Sequence, residues 1–206
     1  GIGTFCHEFG HVLSLPDFYV TDYGHNEPTL GSWDAMDQGP YNNGGKTPPS
    51  YSSYERFFLG WLEPTILEPG MHELKPLLSS NSAYILADET PNLIGTRPNP
   101  TEFFMIENRQ REGWDSVGLP GVGMLITHID WVDSKWRSNT VNNTPGDMGV
   151  AIVCAAETTR RPAFNTYPGE ANITTRFLSF KDGYQFPDPI TAIKEKEDGS
   201  ISFIYG

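Results

Sequence analysis

Residues 7–17 read His-Glu-Phe-Gly-His-Val-Leu-Ser-Leu-Pro-Asp, and this stretch decides how the first part of the chain folds. Apolar residues recur at helical spacing before Pro16, which cannot continue a helix, so we predict a helix over Thr4–Leu15. Two residues four positions apart on a helix project from one face, one turn apart. His7 and His11 are therefore predicted to lie side by side.

The pattern His7-Glu8-x-x-His11 is typical of zinc sites that activate water. Two imidazoles on one helical face can bind a single Zn²⁺, and the neighbouring carboxylate can reach a water molecule beside the metal. We interpret His7 and His11 as metal ligands and Glu8 as the general base. The same pattern also occurs by chance on solvated helix faces, so the flanking residues must decide between the two interpretations.

Two carboxylates compete for the position of third ligand. Asp17 lies six residues after His11, where the metzincin signature has its third ligand. Ser14 stands where that signature has glycine, which weakens the assignment of Asp17 if position 14 requires a positive φ. Glu55, on a second helix predicted over Tyr51–Leu62, is the alternative, because a glutamate from a distant helix completes thermolysin-like sites.

Several stretches together resemble the M6 family, the immune inhibitor A-like zinc metallopeptidases. They are HEFGHVLSLPDFY, GSWDAMDQG, SYERFFLGWLEP, EFFMIENRQREGWD, LPGVGMLITHID and GSISFIYG, and they span nearly the whole chain. The second of them resembles the Met-turn of metzincins, in which Met36 would form an apolar floor beneath the metal ligands. The resemblance implies a secreted bacterial zinc endopeptidase that acts on protein or peptide substrates, with Ca²⁺ as a further metal.

The pattern changes after Pro64, where short apolar or alternating runs are separated by turn residues. We predict strands over residues 83–87, 102–108, 123–131, 150–155 and 200–205. The predicted fold class is α+β. Residues 1–63 are expected to form the C-terminal part of a zincin- or metzincin-like catalytic domain, with zinc helix, Met-turn and second helix. Residues 64–206 are expected to form an antiparallel β-sandwich-like domain.

Composition excludes several classes of partner. The formal net charge of −12 over 206 residues opposes binding to nucleic acid or to an anionic membrane. No stretch approaches the roughly 18–20 apolar residues of a transmembrane helix.

Two cysteines, Cys6 and Cys154, can form one disulfide or none.

Other polar residues are weaker candidates. His25 is a further potential metal ligand, and Tyr19 and Tyr41 could donate hydrogen bonds to an oxyanion. Three loop aspartates could offer oxygen atoms to calcium, although they do not have the spacing of an EF-hand loop: Asp22, Asp34 and Asp37. The alternating pairs Glu107–Arg109 and His128–Asp130 are expected to be structural contacts.

Two functions remain open from the residues. The leading hypothesis is a zinc metalloendopeptidase, and the alternative is a non-catalytic binding or structural module with a vestigial metal site. The presence of Glu8 favours catalysis, because a degenerate site would be expected to lose its base first. In zincin-type folds the substrate-binding edge strand precedes the zinc helix. We therefore expect this chain to be inactive alone and to need that part, either from an N-terminal region of the same protein or from a separate chain.

Overall fold

A computed structural model describes residues 1–156 and 161–206 of the chain. The helices are α1 (Ile2–Val12), α2 (Asn42–Gly45), α3 (Ser53–Phe58), α4 (Leu77–Ser80) and α5 (Asp133–Arg137). The strands are β1 (Thr65–Ile66), β2 (Gly70–Leu74), β3 (Tyr84–Leu86), β4 (Glu102–Arg109), β5 (Gly123–Asp130), β6 (Val150–Ile152), β7 (Ile190–Glu195) and β8 (Ile201–Tyr205). None of the helices in the described residues is both long and apolar enough to cross a membrane.

Both predicted helices are present, and both are shorter than predicted. α1 ends at Val12 because the chain turns at Ser14, whose φ of 75° is left-handed and incompatible with a continuing helix. α3 begins with a capping box, in which Ser52 and Glu55 each bond the other's backbone N–H. It ends before Gly60, which has a φ of 71°.

The strands form two sheets. The larger has the order β1-β3-β4-β5-β6, and the smaller has the order β2-β8-β7. The five predicted strands correspond to β3, β4, β5, β6 and β8, whereas β1, β2 and β7 are not in the prediction. The α+β class is confirmed, and the sandwich arrangement stays a prediction.

The prediction of a purely antiparallel region is wrong at one edge of the larger sheet. There, β1 runs parallel to β3, with Thr65 opposite Tyr84. Between these two strands the chain contributes β2 to the other sheet and then forms α4. A connection of this length allows the chain to return and run in the same direction, which a tight hairpin cannot do.

One cluster of buried apolar side chains joins the helical part to the larger sheet. It contains Met36 and Tyr54 from the first 63 residues, and Phe103 and Ile129 from β4 and β5. A second cluster draws on strands of both sheets. The division of the chain near residue 63 stays a prediction, but side chains from both sides of it share this first core.

Candidate metal centre

Three predicted ligands converge at the C-terminal half of α1. His7, His11 and Asp17 each offer one ligand atom, and these atoms lie within 4.8 Å of one another. The Oδ1 atom of Asp17 is 3.1 Å from Nε2 of His7 and 3.3 Å from Nε2 of His11. Within residues 1–156 and 161–206, no other group of three His, Cys, Asp or Glu side chains is arranged in this way.

In both imidazole rings Nδ1, the nitrogen that is not directed at Asp17, lies at hydrogen-bonding distance from a backbone carbonyl. Nδ1 of His7 lies 2.9 Å from the carbonyl of Ala35, and Nδ1 of His11 lies 2.9 Å from the carbonyl of Leu15. Because a carbonyl only accepts, this geometry assigns the proton to Nδ1 and leaves a lone pair on Nε2 of each neutral ring. Such carbonyl contacts are typical of histidines that bind metal through the other nitrogen.

The carboxylate of Asp17 is buried, and its Oδ1 receives no hydrogen bond. Two imidazole lone pairs and one carboxylate oxygen therefore face each other without a donor between them, which fits a divalent cation. A proton on an imidazole is the other way to satisfy this oxygen. Accordingly, hydrogen bonding to Asp17 raises the pKa of His7, against the opposing effect of burial. Burial acts to raise the pKa of Asp17, but a hydrogen bond from a protonated His7, the hydrogen bond from Asn139 and the positive charges of His11 and His7 together lower that pKa.

Met36 packs against Gly10 of α1, and its role as the floor of the metal centre stays a prediction. Its side chain is fully buried and its Sδ is the atom nearest to the position that a Cβ on Gly10 would occupy. The backbone carbonyl of Met36 accepts from Phe18 N–H at 2.9 Å, and its own N–H donates to Oδ1 of Asp34 at 2.7 Å. These bonds hold the methionine beneath the helical turn that joins His7 to His11.

Asparagines from the segment after α5 hold the loop that follows α1. Asn139 bonds both the backbone N–H and the carboxylate of Asp17. Asn143 bonds Thr21 in the same two-point manner. Asn139 is absent from the sequence-based candidates, because no periodicity or motif connects two residues so far apart.

A cleft of about 1240 Å³ opens beside the centre. Its walls include His7, Glu8, Tyr19 and Tyr41 on one side. On the other side residues 151–154, at and beyond the end of β6, also line the cleft. Ala151 and Ile152 belong to β6, the edge strand of the larger sheet, and Val153 and Cys154 follow it. The β region thus forms part of the wall of the cleft.

Residues 1–61 match the family described as "Immune inhibitor A peptidase M6, catalytic domain". The match identifies residues 1–61 as part of an M6 peptidase catalytic domain. Over 60 residues the chain is 43% identical to immune inhibitor A of Bacillus thuringiensis subsp. alesti, covering 28% of this chain and 9% of that protein. It is also 31% identical over 219 residues to the pre-pro-metalloprotease PrtV of Vibrio cholerae serotype O1, covering 97% of this chain and 22% of PrtV.

The predicted resemblance to the M6 family is thereby confirmed. The chain spans less than a quarter of the length of these relatives. The match to the family profile ends at residue 61, whereas the similarity to PrtV continues through the β region.

Glu55, the alternative third ligand, is not part of the candidate metal centre described above. Its side chain is fully buried in the capping box of α3, where Oε2 accepts from the N–H of Ser52 at 2.6 Å. Burial, with the Asp34 carboxylate nearby, raises the pKa of Glu55. Of the two carboxylates, only Asp17 lies beside His7 and His11.

The weaker candidates have structural partners. His25 uses both ring nitrogens, one against the carbonyl of Asn142 and one to accept from the N–H of Glu27. The expected structural pair Glu107–Arg109 is confirmed, but His128 pairs with Glu102 at 2.8 Å rather than with Asp130. No disulfide joins Cys6 to Cys154.

The three loop aspartates do not gather into a common site within the described residues. Asp34 and Asp37 are buried and accept hydrogen bonds from the backbone of their own loop, and Asp22 does the same at the surface. The prediction of calcium therefore gains no support from these side chains and stays a prediction.

Proposed function

We propose that the protein is a zinc-dependent metalloendopeptidase in which His7, His11 and Asp17 hold the metal and Glu8 is the general base. The observation that carries this proposal is the convergence of the two imidazole Nε2 atoms, whose rings each use Nδ1 for a backbone carbonyl, on a buried carboxylate oxygen 3.1 and 3.3 Å away. Three protein ligands leave a tetrahedral ion one open position, as catalytic zinc sites require. When bound there, zinc would polarise the scissile carbonyl and lower the pKa of water.

Glu8 is placed to move the proton. It follows His7 directly on α1, about 100° further around the helix axis, and its exposed side chain lines the cleft. A carboxylate in this position can take a proton from the attacking water and return it to the leaving amine. A general base must be reached by both water and substrate, and the Glu8 side chain is exposed to both.

Tyr19 is the residue best placed to donate a hydrogen bond to the developing oxyanion. Its ring lies 6.5 Å from that of His7, and it lines the same cleft. Burial, with the nearby Asp17 carboxylate, raises the pKa of Tyr19 to about 12. Its hydroxyl therefore keeps its proton at neutral pH and can act as a donor in the transition state.

We further propose that the enzyme is secreted and that its substrates are proteins or peptides outside the bacterial cell. The match to the M6 family and the name of the Vibrio relative, a pre-pro-metalloprotease, support proteolysis. The net charge of −12 is compatible with such substrates and opposes nucleic acid as a partner.

The experiment compares Glu8→Gln with the wild type, both expressed at the full encoded length. Zinc content is measured by elemental mass spectrometry, and cleavage is measured with casein. We expect Glu8→Gln to retain zinc and to lose about 10²- to 10⁴-fold in kcat/KM, the usual contribution of a general base. Glu63→Gln, at an exposed position after α3, is the matched control and should cleave like the wild type.

Normal cleavage by Glu8→Gln would overturn the assignment of the base. If the wild type binds zinc but cleaves neither casein nor a peptide library, the non-catalytic alternative is correct. Asp17→Asn and Glu55→Gln then separate the candidate ligands. We expect loss of zinc only from Asp17→Asn, because Glu55 is not part of the group that surrounds the centre.

A further inference from the structure

We propose that Asn139 is a positioning residue of the metal centre, which holds the Asp17 carboxylate so that one oxygen faces His7 and His11. This inference rests on the proposed role of Asp17 as third ligand. Asn139 comes from the β region, after α5, and touches neither histidine ring nitrogen in any hydrogen bond. It acts through Asp17 alone.

A single side-chain amide makes both contacts. Oδ1 of Asn139 accepts from the backbone N–H of Asp17 at 2.6 Å, and Nδ2 donates to Oδ2 of Asp17 at 2.7 Å. The first bond fixes the backbone of Asp17, and the second fixes the rotation of its carboxylate. Because Oδ2 is engaged in this way, Oδ1 is left to point at the two histidines, 3.1 and 3.3 Å away.

Asn139 is itself held in place. Its backbone has a φ of 56°, a left-handed conformation that asparagine tolerates better than most residues. Its N–H donates to the carbonyl of Trp136, and its carbonyl accepts from the hydroxyl of Thr21. The turn that ends α5 therefore presents the amide in a defined direction instead of leaving it free to rotate.

Hydrogen-bonded partners of metal ligands affect metal affinity because they orient the ligand before the metal arrives. Removing such a partner commonly costs 10- to 100-fold in affinity. Loss of the amide would let the Asp17 carboxylate rotate and would leave its buried N–H without an acceptor. The inference therefore predicts weaker zinc binding without any change in the ligands themselves.

The test uses Asn139→Gly in the protein at its full encoded length, after removal of metal. Glycine removes the whole amide and still tolerates the left-handed backbone, which alanine would strain. Asn143→Gly is the matched control, since Asn143 makes the same kind of two-point contact between the same segments but holds Thr21, which is not a ligand. Zinc affinity is measured by competition with a chromophoric chelator.

We expect Asn139→Gly to bind zinc 10- to 100-fold more weakly than the wild type and Asn143→Gly to bind it within about twofold. Equal losses in both variants, or wild-type affinity in Asn139→Gly, would overturn the inference. Absence of zinc binding by the wild type would instead overturn the proposed function. Thermal unfolding of the metal-free proteins shows whether either variant is destabilised.

A second variant, Asn139→Asp, keeps the test decisive if Asn139→Gly does not fold. Asn139→Asp keeps the shape of the side chain and the acceptor for the N–H of Asp17, but replaces the donor to Oδ2 with another oxygen. Cobalt(II) loaded in place of zinc absorbs visible light according to its coordination geometry. We expect the Asn139→Asp spectrum to differ from that of the wild type and the Asn143→Gly spectrum to match it. A wild-type cobalt spectrum in Asn139→Asp contradicts the inference.

Discussion

Gly10 and Met36 are in direct contact across the interface between α1 and the loop that follows it. A Cβ on Gly10 would overlap the Sδ of Met36 and would also lie 3.3 Å from the hydroxyl oxygen of Tyr51. The lack of a side chain at position 10 thus lets the methionine lie directly beneath the turn that carries His7 and His11.

Gly10→Ala is therefore expected to destabilise the protein, although alanine is the better helix former. The added methyl must displace Met36 or lift α1, and overpacking of this kind commonly costs about 1–3 kcal/mol. Urea unfolding of the metal-free protein measures the change. Combining it with Met36→Ala, which vacates the space, should recover part of the loss. An additive double mutant would show that the two residues do not interact.

Ser14→Gly is expected to stabilise the protein by up to about 1 kcal/mol. Ser14 is exposed and has a φ of 75°, so the substitution relieves left-handed strain and loses only a surface hydroxyl. Ser14→Ala is the control, because it removes the hydroxyl and keeps the strain. The melting temperatures of the two variants should move apart. Equal shifts would mean that backbone strain at this position is negligible.

Arg109→Met should be strongly destabilising. The guanidinium is 1% exposed and pairs with Glu107 at 3.2 Å and with Asp115 at 3.1 Å. Its removal leaves two buried carboxylates without their cation, which typically costs about 3–5 kcal/mol. Arg137→Met is the matched control, since Arg137 pairs with Asp133 at the surface and its loss should cost less than about 1 kcal/mol. Similar losses in both variants on urea unfolding would contradict the importance of burial.

We expect the buried carboxyl of Asp34 to make the free energy of unfolding depend on pH. Burial, to which the Asp37 carboxylate adds, raises the pKa of Asp34 to about 7 from an ordinary value of 3.8. The folded state thus binds this proton more tightly than the unfolded state. The stabilisation is complete below the ordinary pKa and is lost as the pH rises through about 7.

Asp34→Asn removes this titration and keeps the oxygen that accepts from the N–H of Met36. We expect the melting temperature of the variant, relative to that of the wild type, to increase between pH 5 and pH 8. Asp22→Asn, at an exposed loop position, is the control and should show the same difference at both pH values. A constant difference for Asp34→Asn would contradict a neutral Asp34 in the folded protein.

The features that sequence patterns predict best are those encoded in contiguous residues. β4 and β5 are long and almost wholly buried, so their apolar runs indicate strands directly. β1 has only two residues, and four of the five residues of β2 are not buried, so neither leaves a clear pattern. The pairing of β1 with β3 depends on a crossover that no local signal describes.

The residues of the candidate site also differ in whether local sequence patterns predict them. Helix geometry predicts that His7 and His11 lie side by side. The resemblance to the metzincin signature adds Asp17, with Glu55 left open as the alternative, and the structure places Asp17 beside the two histidines. The resemblance of residues 31–39 to a Met-turn directs attention to Met36, whose contact with Gly10 the structure shows. Asn139 could not be predicted, because its relation to Asp17 arises only when distant segments pack together.

The hydrogen bonds between Asp17 and Asn139 join residues that are 122 positions apart in the chain. Contacts between residues so far apart require closure of a long loop, which costs chain entropy. The histidines lie on a local helix, whereas the carboxylate of Asp17 is bonded by a residue from the segment beyond α5. We therefore expect the candidate metal centre to be complete only when the chain beyond α5 has folded against the loop that holds Asp17.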